Sequence, residues 1–361
     1  MAGRCRLVLL AATFLTAVFL LAAGCDTGEL YSELRGWFVQ EQGKEEVPLP
    51  EIPSEKNSYS EVMPENEEEG FYRITFYYLA EDKGFTVPLT REIPADPGIA
   101  RKTVEELVDT PELREKLEQE GLIPVLPPRT EVLGMHIEDG VARINFNSSF
   151  LRHEEEKERI ILNCLLCTLK QFESIETVEI MVEGSFLDEF PGGTPGRLPM
   201  GPECRVNLEV EEELEDREDY TEVTVYFLYL SPSDNYYYIP VTRVLGKKED
   251  TMETSVQELL KGSGERPGLF SMVPVNTELE SLEFEEGVVQ IHFSEELLDF
   301  RGGRKGEELM LHQVALTLYR HPEVEEVYLS VEGETSNLPY GTDLSEPLPN
   351  PLPLNRVSTG L

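Results

Sequence analysis

The stretch Glu307 to Gly333, EELMLHQVALTLYRHPEVEEVYLSVEG, reads as a helix, a proline-marked turn and a strand. Leu311, Val314, Ala315 and Leu318 recur at i, i+3, i+4 and i+7, one stripe of a helix. Beyond Pro322, Val327, Leu329 and Val331 alternate as the inward residues of a strand do. The stretch Glu158 to Gly184, ERIILNCLLCTLKQFESIETVEIMVEG, repeats this pattern without a gap, 149 residues earlier. Its stripe is Leu162, Leu165, Leu166 and Leu169, and its strand carries Val178, Ile180 and Val182. One unit therefore occurs twice. The predicted class is α/β (α+β): two tandem repeats of a small mixed β-sheet with helices packed on it.

Working outward, each helix is preceded by a hairpin signal. Asp139-Gly140 lies between Val132–Ile137 and Val141–Phe146, and Glu286-Gly287 precedes Val289, Ile291 and Phe293. Further upstream, Tyr72 to Leu79 and Val223 to Leu230 read as buried first strands. Val87-Pro88-Leu89-Thr90-Arg91 is copied as Ile239-Pro240-Val241-Thr242-Arg243, and a proline without an N–H suits an edge. Thr103 to Val108 and Ser255 to Leu260 read as a short helix in each repeat. Leu338-Pro339-Tyr340-Gly341 is aligned with Leu198-Pro199-Met200-Gly201, which makes Pro191 to Gly196 an insertion. The repeats then span 71–208 and 222–346, with an acidic linker at 209–221 and an irregular proline-rich tail at 347–361.

The far side of the long helix is less polar than a free surface helix would be. It carries Ile160, Cys164 and Cys167 in the first repeat, and Leu309 and Leu316 in the second. Further core under a loop accounts for this. The sharper reading makes Ile160, Leu309 and Leu316 a face for the sister repeat or a partner protein.

The chain of 361 residues has a formal charge of −39, which disfavours nucleic acid and anionic membrane surfaces as direct partners. Residues 1–25 read as a targeting segment: Arg4 and Arg6, an apolar run from Leu7 to Leu21, then Ala22-Ala23-Gly24-Cys25. This end resembles a bacterial lipobox, which implies lipidation of Cys25, a membrane anchor and an extracytoplasmic location. Residues 26–70 are acidic, with Pro48, Pro50, Pro53 and Pro64, and read as a disordered tether. Cys5, Cys25, Cys164, Cys167 and Cys204 form neither a disulfide framework nor a zinc ligand set.

In the second repeat, Tyr226-Phe227-Leu228-Tyr229-Leu230, Glu286-Gly287-Val288-Val289 with Phe293-Ser294, Gln313 to Leu318, Pro322-Glu323-Val324 and Leu338 to Asp343 follow one another in order. This series, present twice behind a lipobox and tether, resembles the GerM domain of sporulation and spore germination lipoproteins. The resemblance covers about 70 to 345. It implies a compact fold similar to the ring-building domains of secretion and sporulation channel complexes. It also implies non-enzymatic envelope modules that work by protein–protein contact or self-association, with no catalytic residue to carry over. The first repeat departs from the pattern at Asn147-Ser148-Ser149-Phe150 and at its insertion.

Other chemistry is weakly signalled. Cys164-Leu165-Leu166-Cys167 has redox spacing but lies inside a helix, where no helix N-terminus favours a thiolate. Glu308 and His312, and His292 beside Glu295 and Glu296, lack counterparts in the first repeat. Glu106 with Glu258, and Glu183 with Glu332, occur in both halves and read as caps, turns or surface charges. No cofactor, metal or catalytic residue is expected. Tyr236, Tyr237 and Tyr238 offer a possible stacking surface for peptidoglycan or cortex glycan, the first alternative to protein contact; a peptidoglycan-active enzyme is the second. If Cys25 carries the anchor, Cys25→Ser moves the protein from the membrane fraction to the soluble fraction on fractionation.

Overall fold

The computed structural model describes residues 70–357, apart from 82, 197–203, 212–219, 249–250, 265 and 333–336. The targeting segment, Cys25 and the tether lie outside the described residues, as does Leu198-Pro199-Met200-Gly201. The first repeat runs β1 (Phe71–Ala80), β2 (Thr86–Pro94), α1 (Ile99–Glu105), α2 (Pro111–Glu118), β3 (Leu122–Ile123), β4 (Val132–Glu138), β5 (Val141–Phe146), α3 (Glu158–Leu169) and β6 (Thr177–Val182). A two-residue strand β7 (Glu209–Val210) follows. The second repeat runs β8 (Tyr220–Leu230), β9 (Tyr236–Gly246), α4 (Thr251–Leu260), β10 (Leu269–Phe270), β11 (Leu279–Glu285), β12 (Val288–Phe293), α5 (Gly303–Tyr319) and β13 (Glu326–Val331).

Each repeat holds two sheets. A long antiparallel hairpin, β1 with β2 or β8 with β9, forms one. The other is ordered β4-β5-β6 or β11-β12-β13, its first pair antiparallel and its second parallel. The helix signalled by the quoted stretch is the crossover between the parallel strands, as that geometry requires. The two hairpin turns hold positive φ at Asp139 and Gly140 (50° and 77°) and at Glu286 and Gly287 (49° and 86°). Each turn carbonyl then accepts the N–H that starts the next strand, Glu176 to Gly140 and Glu325 to Gly287, both at 2.7 Å.

The long helix has apolar residues on both sides because it touches both sheets. In the first repeat α3 meets β1 and β6; in the second α5 meets β8 and β13. Leu309 and Leu316 are 3% and 1% exposed, and Ile160 packs against the core. Leu316 lies against Tyr226 and Leu354. The partner-face expectation is therefore corrected for Leu309 and Leu316, which the chain covers itself, while Ile160 is partly buried against the core. Burial of such side chains is worth about 1.5–3 kcal/mol each, so their apolar character follows from packing alone.

The repeats share one core. Two asparagines join them in a reciprocal way. Asn207 accepts the Thr86 N–H (2.7 Å) and donates to the carbonyls of Thr86 and Pro240, both at 2.9 Å. Asn355 accepts the Tyr238 N–H (2.8 Å) and donates to the carbonyls of Tyr238 (2.8 Å) and Pro88 (2.7 Å). Pro88 and Pro240 are equivalent residues, as are Thr86 and Tyr238, so an approximate two-fold relates the halves. Both asparagines hold positive φ, 53° and 50°, which asparagine tolerates better than most residues.

The segment after each repeat thus straps the long hairpin of the other. β7 pairs with β9 in parallel, Glu209 opposite Arg243. Arg356 bridges Thr90 of β2. The tail past Glu346 is irregular in backbone, as expected, yet it is fixed: Leu348 and Leu354 are buried, and the Leu348 N–H meets the Val327 carbonyl at 2.7 Å. The acidic segment after residue 208 begins as a strand, so its first residues are part of the fold. Asn207→Ala and Asn355→Ala each lower stability by about 2 kcal/mol through unsatisfied amides and carbonyls. Denaturant unfolding of the singles and the double variant checks this, and fully additive losses would show that they do not hold one junction.

Candidate interaction surface and the repeated polar residues

Three sets of ionisable side chains occur at equivalent places in the two repeats: an arginine with its glutamate, a turn glutamate and a buried glutamate. In the first repeat Arg91 meets Glu106 at 3.1 Å, donates to the Tyr78 hydroxyl at 2.9 Å and stacks over Phe76. In the second Arg243 meets Glu258 at 3.2 Å, donates to its carbonyl at 2.6 Å and stacks over Phe227. Glu106 is the C-cap residue of α1 and half-exposed, in line with the sequence reading, whereas Glu258 is buried; both are partners of the arginine. Glu183 and Glu332 are turn residues at φ 50° and 49°, in line with the sequence reading.

The third pair, Glu158 and Glu307, was missed from the sequence, although each is the first residue of its repeated stretch. Both are 0% exposed. Glu307 accepts the Tyr340 N–H (2.6 Å), the Thr342 N–H (3.3 Å) and the Thr342 hydroxyl (2.6 Å). Glu158 accepts the N–H groups of Gly192 (2.5 Å) and Thr194 (3.0 Å). A buried carboxylate is tolerable when it collects such charge-assisted bonds.

These bonds correct an alignment. Phe190 donates to the Thr194 carbonyl and Gly193 to that of Phe190; Leu338 donates to Thr342 and Gly341 to Leu338. Gly193 and Gly341 share φ of 86° and 90°. The counterpart of Leu338-Pro339-Tyr340-Gly341-Thr342 is therefore Phe190-Pro191-Gly192-Gly193-Thr194, and Pro191 to Thr194 is no insertion. The signal was available: an apolar residue, Pro, any residue, Gly and Thr match in both, whereas Pro202 follows Gly201. Glycine is required at 192 because a Cβ there would lie 2.6 Å from the Glu155 carbonyl oxygen.

The cysteines do not form the pair that their spacing suggested. Cys167 bonds to Cys204, 37 residues on, with a Cα–Cα separation of 4.9 Å. Cys164 is free and buried, and burial pushes its thiol pKa up, which keeps it protonated and inert. Closing a loop of this length contributes about 4 kcal/mol in the chain-entropy picture. Glu308 and His312 do not converge on a shared site: Glu308 meets Lys305, and His312 Nδ1 bonds the Tyr238 hydroxyl at 3.0 Å. Burial lowers the His312 pKa against the pull of Glu308. His292 Nδ1 bonds the Ser330 hydroxyl. Among the described residues no group of three His, Cys, Asp or Glu side chains is placed to hold a metal ion.

The three consecutive tyrosines do not form a stacking row, because strand alternation divides them. Tyr237 is 4% exposed and stacks on Tyr229. Tyr238 is half-buried on His312. Tyr236 is 39% exposed, edge-on to Phe270 and opposite the exposed Leu230. The two sheet edges also differ. β11 carries Glu280, Glu283 and Glu285 exposed, the kind of charge that blunts strand addition. β4 has exposed Leu133 and His136, with Glu138 its one carboxylate.

A tandem pair of α+β repeats, joined by a two-fold junction and holding its repeated buried acids on its own backbone, defines a duplicated α+β module. The chain belongs to the Germane family, described as sporulation and spore germination, with matches over residues 75–188 and 224–337, one per repeat. It is similar to the spore germination protein GerM of Bacillus subtilis (strain 168), with 30% identity over 290 residues, covering 78% of this chain and 77% of that protein. The solved tandem GerMN domains of the sporulation protein GerM from Bacillus subtilis match the fold with a TM-score of 0.63 at 28% identity, covering 78% of this chain and 98% of that one.

Replacing Glu307 by Ala leaves two partly buried N–H groups and a hydroxyl without their acceptor, and costs about 2 kcal/mol. Gln at 307 keeps an acceptor and costs less. Chemical denaturation ranks the variants, and equal losses for Ala and Gln would show that the charge, not the acceptor, is what the loop needs.

Proposed function

We propose that this protein acts in sporulation or spore germination as a non-enzymatic lipoprotein. Cys25 holds it on the extracytoplasmic face of the cell membrane, and it works through protein–protein contacts, its own copies included, within an envelope assembly. The relation to GerM across both repeats carries this reading. The use of the repeated acids as internal partners supports a role for surfaces over reactive groups. The Cys167–Cys204 bond suits an oxidising compartment, where such bonds persist. The weakly charged edge of β4 is the surface best suited to another chain, because β4 is an edge strand of its sheet and the exposed Leu133 supplies an apolar anchor.

A second reading is docking on peptidoglycan or cortex glycan, favoured by the exposed Tyr236 ring beside Phe270. The two are separated by photo-crosslinking in sporulating cells from residue 133 and, in parallel, from residue 236. Discrete protein adducts from 133 that vanish with a Leu133→Lys variant of unchanged melting temperature fit the contact reading. Wall fragments captured at 236 and lost with Tyr236→Ala fit the glycan reading. Release of soluble muropeptides by the purified protein overturns both in favour of an enzyme.

A further inference from the structure

The one covalent link in the described fold closes on the strap between the repeats. Cys167 sits on α3 in the first repeat's core, 2% exposed, while Cys204 is half-buried at the start of the segment that crosses to the second repeat. The residues after Cys204 are engaged one after another. The Arg205 carbonyl accepts from Asn163 on α3 at 2.7 Å, and its guanidinium meets Glu222 on β8 at 2.6 Å. The Val206 carbonyl accepts the Thr242 N–H of β9 at 2.9 Å. Glu209 meets Arg243 at 2.8 Å, and the Glu211 N–H meets the Val244 carbonyl at 2.9 Å.

The second repeat has the same strap without the covalent link. The residue equivalent to Cys167 is Leu316, and it lies against Leu354 of the tail. Packing therefore suffices to seat a strap at this point of the fold. The disulfide adds dependence on redox state to one strap of two, and to the one that ties α3 to β9.

We propose that Cys167–Cys204 is a redox-set clasp: oxidised, it locks the strap of β9 to the first repeat; reduced, the strap is held by packing and hydrogen bonds alone and opens more readily. The protein is then a substrate for thiol–disulfide exchange with a dithiol protein. A thiolate of the dithiol attacks Cys204 Sγ, the more exposed sulfur, and Cys167 leaves as a thiolate that takes up a proton. The second thiol of the dithiol resolves the mixed disulfide and releases Cys204 as a thiol. Two electrons and two protons pass to the two cysteines, and the dithiol ends as a disulfide. Cys164, one helical turn from Cys167, does not compete, because it is buried and protonated. This inference is independent of which surface binds a partner.

The test uses the full-length protein, with dithiothreitol as the dithiol. Peptide mapping after alkylation without reduction should recover a Cys167–Cys204 linked peptide. Hydrogen exchange should then show the Thr242 and Glu211 amides opening about tenfold faster after reduction, with β5 and β12 amides unchanged. Cys167→Leu with Cys204→Val restores the kind of contact seen in the second repeat, and should make exchange at Thr242 indifferent to dithiothreitol. Absence of the linked peptide overturns the proposal. So does unchanged protection at Thr242 in protein shown to be reduced, or a persistent response in the double variant.

Discussion

A helix that is apolar on two opposite sides cannot rest on a single sheet. It must be enclosed, and that requirement organises each half of this molecule. α3 and α5 lie against the long hairpin on one side and the three-stranded sheet on the other. Leu165, Leu166, Val314 and Leu316 then all leave water, though they point in different directions. The short helices, the hairpin turns and the buried acids are arranged around this enclosure. Glu158 stands at the first turn of its helix, where negative charge is favoured by the helix dipole, and Glu307 lies one turn further in; both reach the loop that closes the helix's open end.

The duplicated halves meet as two-fold partners, and this explains why so much polar chemistry recurs without forming a reactive centre. Arg91 and Arg243 are each clamped between an aromatic ring and a carboxylate, and so are held for packing instead of recognition. What differs between the halves lies at the periphery. A disulfide replaces an apolar contact, an acidic edge replaces a bare one, and an exposed tyrosine has Gly84 as its counterpart. A binding function that uses the halves unequally is most naturally built from these differences.

The duplication, the first strands, both hairpins and the enclosed helices were legible in the sequence, because each rests on local period or turn chemistry. Asp139-Gly140 and Glu286-Gly287 announce their turns through the φ values they must adopt. The reciprocal straps were not legible. Asn207 and Asn355 lie in segments with no period, and what they do depends on strands more than 100 residues away. The burial of Leu316 was hidden for the same reason, since Leu354 lies in a stretch of prolines that resembles a free tail. The stacking surface offered by Tyr236, Tyr237 and Tyr238 was an alternative to a plain strand, and strand alternation turns the middle ring inward. Cys204 gave no sign of its partner because disulfide connectivity is a property of the fold, not of spacing.

The exchange of straps has a consequence for biogenesis. A chain delivered N-terminus first presents β2 long before Asn355, which closes over Pro88 from 267 residues further along. Until that residue arrives, the carbonyl of Pro88 and the N–H of Thr90 have only water to satisfy them. The leading half therefore cannot reach its final form ahead of the trailing half. The outer hydrogen bonds of β2 are completed only once Asn355 is in place, so the two halves finish their hydrogen bonding together.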